Sequence, residues 1–95
     1  SVRHWIGAYF AQLNGLDALV FTAGIGENRA AIRAEICANL DQLGIQLDPS
    51  KNNSTEAEEA VISSEDSMVK VLVIPTNEEL VVAREVKRFL DNKQN

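Results

Sequence analysis

The apolar residues of the first thirteen positions recur at steps of three and four, which is the spacing that lines one face of a helix. They are Val2, Ile6, Tyr9, Phe10 and Leu13. This spacing predicts a helix over residues 2–13. Asn14 and Gly15 follow, and because both residue types tolerate the left-handed backbone of a helix C-cap, we expect the helix to end there.

A short, uninterrupted apolar run over residues 18–21 predicts a buried strand. Residues 24–28 then form a tight loop with two glycines, and Asn28 is suited to the N-cap of the next helix. That helix carries an apolar face and is expected to end at Gly44, a C-cap glycine. The face comprises Ile32, Ile36, Leu40 and Leu43.

Residues 48–59 offer almost no apolar side chain to bury, and they include a proline, a run of polar residues and three glutamates. This composition predicts a surface loop. The flanking segments 45–47 and 60–62 are short strand candidates, and residues 63–67 are expected to form a turn.

Residues 69–74 are rich in β-branched side chains and predict a second strong strand, which Pro75 ends because it has no N–H to donate. Thr76 and Glu79 have the spacing of a capping box, in which hydroxyl and carboxylate satisfy N–H groups at a helix start. A helix is therefore expected to follow, as far as about Leu90. Its inner face comprises Val82, Val86, Phe89 and Leu90.

The 95 residues, 45% of them apolar, suffice for one hydrophobic core, so residues 1–95 are expected to form a single domain. Helical and strand patterns alternate along the chain. This order predicts an α/β fold with a mixed sheet, in which the two strong strands are parallel, central and covered by helices.

Charge and cysteine content exclude several classes of protein. The net charge is −5 and no block of basic residues could neutralise a phosphate backbone, which argues against nucleic acid as a partner. No apolar run approaches the length needed to cross a bilayer, so we expect no membrane association. Cys37 is the single cysteine, which excludes an internal disulfide and favours a cytoplasmic protein.

The loop at residues 24–28 lies between a buried strand and a helix start, where backbone N–H groups and the helix dipole favour an anionic or polar ligand. It matches neither the dinucleotide fingerprint nor the G-x-x-x-x-G-K-[ST] phosphate loop. The alternative is a tight turn that needs glycine only for its backbone angles. Arg29, at the first helical position, is more simply a solvated side chain than a phosphate ligand.

Glu78 is an acid at the carboxyl end of a buried strand, where open α/β sheets bind ligands, and the capping box leaves it without a structural role. One carboxylate can contribute to a Mg²⁺ ion held mainly by water and substrate phosphates. Alternatively, Glu78 only complements the dipole of the last helix. Cys37 is expected to pack as a small hydrophobe, and Trp5 and Tyr9, four residues apart, suggest packing or a subunit contact.

Two segments of the chain carry a family resemblance. The first is Asp17-Ala-Leu-Val-Phe-Thr-Ala-Gly-Ile-Gly-Glu-Asn28 followed by Ile32-Arg33, and the second is Ile74-Pro-Thr-Asn-Glu-Glu-Leu80 followed by Ala83-Arg84. Together with Leu43-Gly44-Ile45 and Lys51-Asn52, they resemble the C-terminal part of the acetate kinase family. The resemblance covers nearly the whole chain and is weakest over residues 54–65.

The resemblance implies a partial ribonuclease H-like domain of the actin-like ATPase type. It also implies an enzyme that transfers a phosphoryl group between ATP and acetate or propionate, giving ADP and acetyl phosphate. In the family, the segment similar to Gly24, Ile25, Gly26, Glu27 and Asn28 contacts the nucleotide, and the residue corresponding to Glu78 lies at the Mg²⁺ site. Family members form dimers through this part of the chain.

The family's N-terminal domain and the arginines and histidine that stabilise the transferred phosphoryl group have no counterpart here. Because phosphoryl transfer needs charge stabilisation from several directions, the chain is expected to be the C-terminal part of an acetate kinase, inactive in isolation. The alternative is a stand-alone α/β interaction or dimerisation module that binds no nucleotide, pairing through the predicted helix with Trp5 and Tyr9.

Overall fold

The computed structural model describes residues 7–13, 15–22, 29–55, 58–76 and 78–94. These residues form four strands, three α-helices and one 3-10 turn, Asp41–Leu43. The elements are β1 (Gly7–Leu13), β2 (Leu16–Thr22), α1 (Arg29–Ala38), α2 (Pro49–Ser54), β3 (Ala60–Val61), β4 (Lys70–Ile74) and α3 (Glu79–Gln94).

The four strands form one mixed sheet in the order β1-β2-β4-β3. β2 and β4 are parallel, with a register that runs from Ala18 opposite Lys70 to Thr22 opposite Ile74, and the two outer pairings are antiparallel. The prediction of two central parallel strands is therefore confirmed. Since β2 and β4 point the same way, their carboxyl ends lie at one edge of the sheet.

Both faces of the central strands are buried, because consecutive residues of a strand point to opposite faces. On one face Leu19, Phe21, Val71 and Val73 pack with Cys37 of α1. On the other face the strand residues pack against α3, and this second cluster comprises Ala18, Val20, Leu72, Ile74, Val82, Val86 and Leu90. The predicted inner face of the last helix is confirmed, with Phe89 half-buried at its margin.

The predicted N-terminal helix is wrong for its described part, residues 7–13, which form β1. Seven consecutive residues of β1 pair antiparallel with β2, and Gly15 lies between the strands at φ +81°. Asn-Gly is a signal for a tight hairpin turn as well as for a helix C-cap, and strand pairing decides between them. Tyr9 thus belongs to a strand, while Trp5 lies outside the described residues.

The second predicted helix is correct at its start but too long. α1 begins at Arg29 and ends at Ala38, and Gly44 terminates the short 3-10 turn instead. Leu43, expected on the buried face, is 57% exposed. The fully buried side chains of α1 are Arg33 and Cys37, one residue further along than predicted, while Ile32 and Ile36 are half-buried.

The prediction of a surface loop over residues 48–59 is wrong for its first half, which contains α2. Asp48 caps this helix, accepting a hydrogen bond from the backbone N–H of Lys51 at 3.1 Å, and a proline follows directly. Aspartate at the N-cap with proline at the first helical position is a helix start signal, so the proline begins this element. The weak strand candidates are confirmed as β3 and as a bridge between Leu47 and Ser63.

Gly44 supports the turn that follows α1, and replacing it with alanine should destabilise the protein. Its φ is +85°, and an added Cβ would lie 2.9 Å from the Met68 Cβ. We expect Gly44→Ala to lower the free energy of unfolding by about 2 kcal/mol, since backbone strain and a clash add together. Gly15→Ala is the matched control, because φ is +81° there but no atom lies within 4 Å. Equal losses in chemical denaturation would show that the Met68 contact contributes nothing.

Within the described residues, no helix combines the length and the apolar character that crossing a membrane requires.

Candidate functional site

The carboxyl ends of β2 and β4 lie at one edge of the sheet, and the predicted site residues follow these two strands in the sequence. Thr22, the last residue of β2, lies opposite Ile74, the last residue of β4. Residues 24–28 connect Thr22 to the start of α1, and they lie outside the described residues. Glu78 follows four residues after Ile74. The parallel pairing therefore brings the strand ends Thr22 and Ile74 next to each other, at the kind of edge where α/β sheets bind ligands.

Hydrogen bonds donated by backbone N–H groups order Thr76 and Glu78, which precede α3. The N–H of Thr76 donates to the carbonyl of Ile74 at 2.7 Å, and the N–H of Glu78 donates to the Thr76 hydroxyl oxygen at 3.1 Å. The Glu78 carbonyl accepts from the N–H of Val82 at 3.0 Å, the first bond of the helix. Glu78 thus occupies the N-cap position of α3.

The predicted capping box is therefore displaced. α3 begins at Glu79, so Thr76 precedes the N-cap by two residues and its hydroxyl bonds the N–H of Glu78 rather than that of Glu79. The hydroxyl still orders the helix entry, but as a local turn. The expectation that Glu78 has no capping role is wrong for its backbone, whereas its side chain points outward and is exposed.

The Glu78 side chain is an exposed carboxylate beside the start of α3. The ion pairs of the described part of α3 involve later residues, including Lys87 with Asp91 at 2.9 Å and Arg88 with Glu59 at 3.2 Å. The described residues contain no group of three or more His, Cys, Asp or Glu side chains that could enclose a metal. One exposed carboxylate fits a Mg²⁺ ion that keeps several waters and also binds substrate phosphates.

The helix that follows the glycine loop is held by a buried arginine. Arg33 is 1% exposed, and its Nε donates to the Asn52 Oδ1 at 2.7 Å. Its Nη2 donates to two backbone carbonyls at the end of α2, those of Asn52 at 3.0 Å and Thr55 at 2.6 Å. A guanidinium group suits this arrangement, because its donors are fixed in one plane and its charge complements a helix C-terminus.

Asn52, in turn, is hydrogen-bonded to the start of α1. Asn52 is 2% exposed. Its Nδ2 donates a hydrogen bond to the carbonyl of Ala30, in the first turn of α1, at 2.8 Å. Sequence reasoning missed both Arg33 and Asn52. The available signal was the position of Arg33 four residues before Cys37, which places a cation on the buried side of the helix.

Cys37 lies one turn after Arg33 in α1 and is 4% exposed. The prediction that Cys37 packs as a small hydrophobe is therefore confirmed. Burial raises the pKa of its thiol, and the charge of Arg33 opposes that effect. A thiol that stays protonated and buried is a poor nucleophile, so Cys37 contributes packing to the site region rather than chemistry.

Comparison with known proteins shows what this arrangement is similar to. The family model described as the acetokinase family matches residues 1–84. An acetate kinase from Thermotoga maritima is 50% identical over 91 residues, which is 95% of this chain and 23% of the relative. An acetate kinase from Clostridioides difficile is 54% identical over 90 residues, which is 95% of this chain and 22% of the relative.

Solved structures agree with this match and with the expected fold. The crystal structure of acetate kinase from Entamoeba histolytica gives a TM-score of 0.58 at 36% identity, covering 81% of this chain and 20% of that one. The crystal structure of Porphyromonas gingivalis acetate kinase gives a TM-score of 0.55 at 38% identity, covering 75% of this chain and 18% of that one. The chain spans less than a quarter of the length of the relatives it matches. Across that span it belongs to the acetokinase family.

Proposed function

We propose that these residues form the nucleotide and magnesium side of an acetate kinase, which transfers a phosphoryl group between ATP and acetate. The observation that carries the proposal is the parallel pairing of β2 with β4, which places Thr22 and Ile74, the strand ends that precede residues 24–28 and Glu78 in the sequence, at one edge of the sheet. The family match supports the same assignment. The stand-alone interaction module has no support in these comparisons, because each relative named above carries the matched segment within a longer enzyme.

In this proposal the residues have distinct roles. Gly24, Ile25, Gly26, Glu27 and Asn28 contact the nucleotide, with the start of α1 supplying N–H groups and a positive dipole end. Glu78 contributes one carboxylate oxygen to Mg²⁺. The ion, when bound, neutralises charge on the phosphate oxygens, while Glu78 and the loop orient the nucleotide for in-line transfer. We assign no role to Arg29.

The proposed activity is tested with the complete protein that contains this segment. Purified protein should form acetyl phosphate from ATP and acetate in the presence of Mg²⁺, which hydroxylamine trapping measures. Residues 1–95 alone should form none, because they correspond to 22% or 23% of the relatives' length and phosphoryl transfer needs groups on all sides. A complete protein without ATP- and acetate-dependent product would overturn the proposal.

Gly26→Val tests the role of the glycine loop in nucleotide binding. A branched side chain would add bulk where ATP must approach the backbone, so in the complete enzyme the KM for ATP should rise about tenfold or more. The thermal midpoint should stay close to that of the wild type, since none of the residues in the two hydrophobic clusters is changed. Unchanged ATP affinity, measured by calorimetry, would remove residues 24–28 from the nucleotide site.

The remaining assignments follow from family membership. We propose that the complete enzyme is a cytoplasmic homodimer, with ATP or ADP and acetate or propionate as its small-molecule ligands. Self-association can be measured by sedimentation, and the acyl preference by comparing kcat/KM for the two acids.

A further inference from the structure

We propose that Asn52 is a positioning residue for nucleotide binding, holding the first turn of α1 so that the backbone N–H groups at this helix start stay directed at the nucleotide. The inference deepens the proposed function and rests on it. It concerns a side chain in α2, outside the loop and the carboxylate already assigned, and it follows from the contacts of a buried amide.

Arg33 fixes the orientation of the Asn52 amide. A guanidinium can only donate hydrogen bonds, so the amide oxygen must face Arg33, where Nε and Oδ1 are 2.7 Å apart. The amide nitrogen then points the opposite way and donates to the Ala30 carbonyl at 2.8 Å. Because Asn52 is 2% exposed, water competes poorly for either bond.

The anchor of this connection lies in the sheet itself. The N–H of Ile62 donates to the Val71 carbonyl of β4 at 2.9 Å, and the N–H of Asp48 donates to the Ile62 carbonyl at 2.9 Å. Asp48 caps α2, and the N–H of Asn52 donates to the Asp48 carbonyl at 2.9 Å. A continuous series of hydrogen bonds therefore joins β4, which leads towards Glu78, to the first turn of α1.

The position of Ala30 gives this connection its functional consequence. Ala30 is two residues after Asn28, and the other end of the loop is fixed at Thr22 in the sheet. A shift of the first turn of α1 would move the N–H groups at the helix start away from the nucleotide while leaving the core packing of α1 at Cys37 intact. Small displacements of positioning groups lower nucleotide affinity strongly.

Asn52→Asp separates positioning from folding. The aspartate keeps an oxygen for Arg33, as an ion pair, but replaces the donor towards Ala30 with an acceptor. In the complete enzyme we expect the KM and Kd for ATP to rise about tenfold, the size expected when one hydrogen bond from the helix start to the nucleotide is lost, with the KM for acetate unchanged. Hydrogen exchange should become faster at the Ala34 amide, in the first turns of α1, and stay unchanged in α3.

Asn53→Asp is the matched control, because it makes the same substitution at the exposed neighbouring residue and should leave the KM values, the Kd for ATP and the exchange rates at wild-type values. Asn52→Asp with unchanged ATP affinity, or with unchanged exchange in α1, would overturn the inference. Equal rises in both KM values would also overturn it, since they would indicate a general loss of structure. A wild-type protein that binds no ATP would instead contradict the proposed function, while the exchange data would still report whether Asn52 holds α1.

Discussion

Glu78→Ala in the complete enzyme is expected to abolish acetyl phosphate formation, or to raise the Mg²⁺ concentration needed for half-maximal activity by about tenfold or more. Removing a partner of a metal ligand already lowers metal affinity about 10- to 100-fold, and removing the ligand should have at least that effect. Stability should fall by only about 0.5 kcal/mol, because the side chain is exposed and contributes only to the helix dipole. Mg²⁺ titrations and thermal midpoints measure the two effects.

Thr76→Ala and Glu79→Ala are the controls for this prediction. Thr76→Ala removes the hydroxyl that accepts the Glu78 N–H, so it should lower stability by about 1 kcal/mol, the usual net contribution of one hydrogen bond, and leave the Mg²⁺ dependence nearly normal. Glu79→Ala removes an exposed acid from the first turn of the same helix and should likewise leave the Mg²⁺ dependence of the activity normal. Wild-type Mg²⁺ dependence in Glu78→Ala would return Glu78 to the alternative role of a helix-dipole partner.

Arg33→Ala is expected to lower the free energy of unfolding by about 3 to 5 kcal/mol. The change leaves a cavity, and the acceptor oxygens of Asn52 and Thr55 lose a buried donor. A loss of this size is a large fraction of the stability of an ordinary domain. Chemical denaturation of the complete protein measures it, with loss of soluble expression as the extreme outcome.

Arg84→Ala provides the matched control, because Arg84 is a largely exposed arginine whose nearest acid, Glu85, is 3.6 Å away. Its removal should change stability by about 0.5 kcal/mol at most. The loss of stability in Arg33→Lys should be smaller than in Arg33→Ala and larger than in Arg84→Ala, since lysine keeps the charge but not the planar set of donors. A similar effect for Arg33→Ala and Arg84→Ala would mean that the bonds between Arg33 and α2 contribute little.

Elements with a strong local pattern were predictable. The apolar run at residues 18–21 and the β-branched run at 69–74 lie in the central strands, and burial on both faces leaves no alternative for such segments. The helical spacing of Val82, Val86 and Leu90 fixed the buried face of α3 for the same reason. Gly24 to Asn28 and Glu78 were candidate site residues from their order alone, because each follows a strand.

Segments whose structure depends on partners outside the segment itself were predicted wrongly. Residues 7–13 have helical spacing but pair with β2, and hydrogen bonding to a neighbouring strand outweighs a weak periodic signal. Residues 48–55 have too few apolar side chains to predict burial, yet Asn52 and Thr55 are buried. The donors that make this burial favourable lie on Arg33, 19 and 22 residues away in the chain.

The order of amino acids was enough to establish the α/β class, the two buried strands, the last helix, the candidate loop and carboxylate, and the family resemblance. These features depend on local periodicity and on short motifs, which are read without knowing what lies nearby in space. The convergence of the two strand ends at Thr22 and Ile74 and the buried link from Arg33 through Asn52 to Ala30 required the folded chain. Both depend on contacts between residues far apart in sequence, and such contacts form only when the sheet and helices pack together.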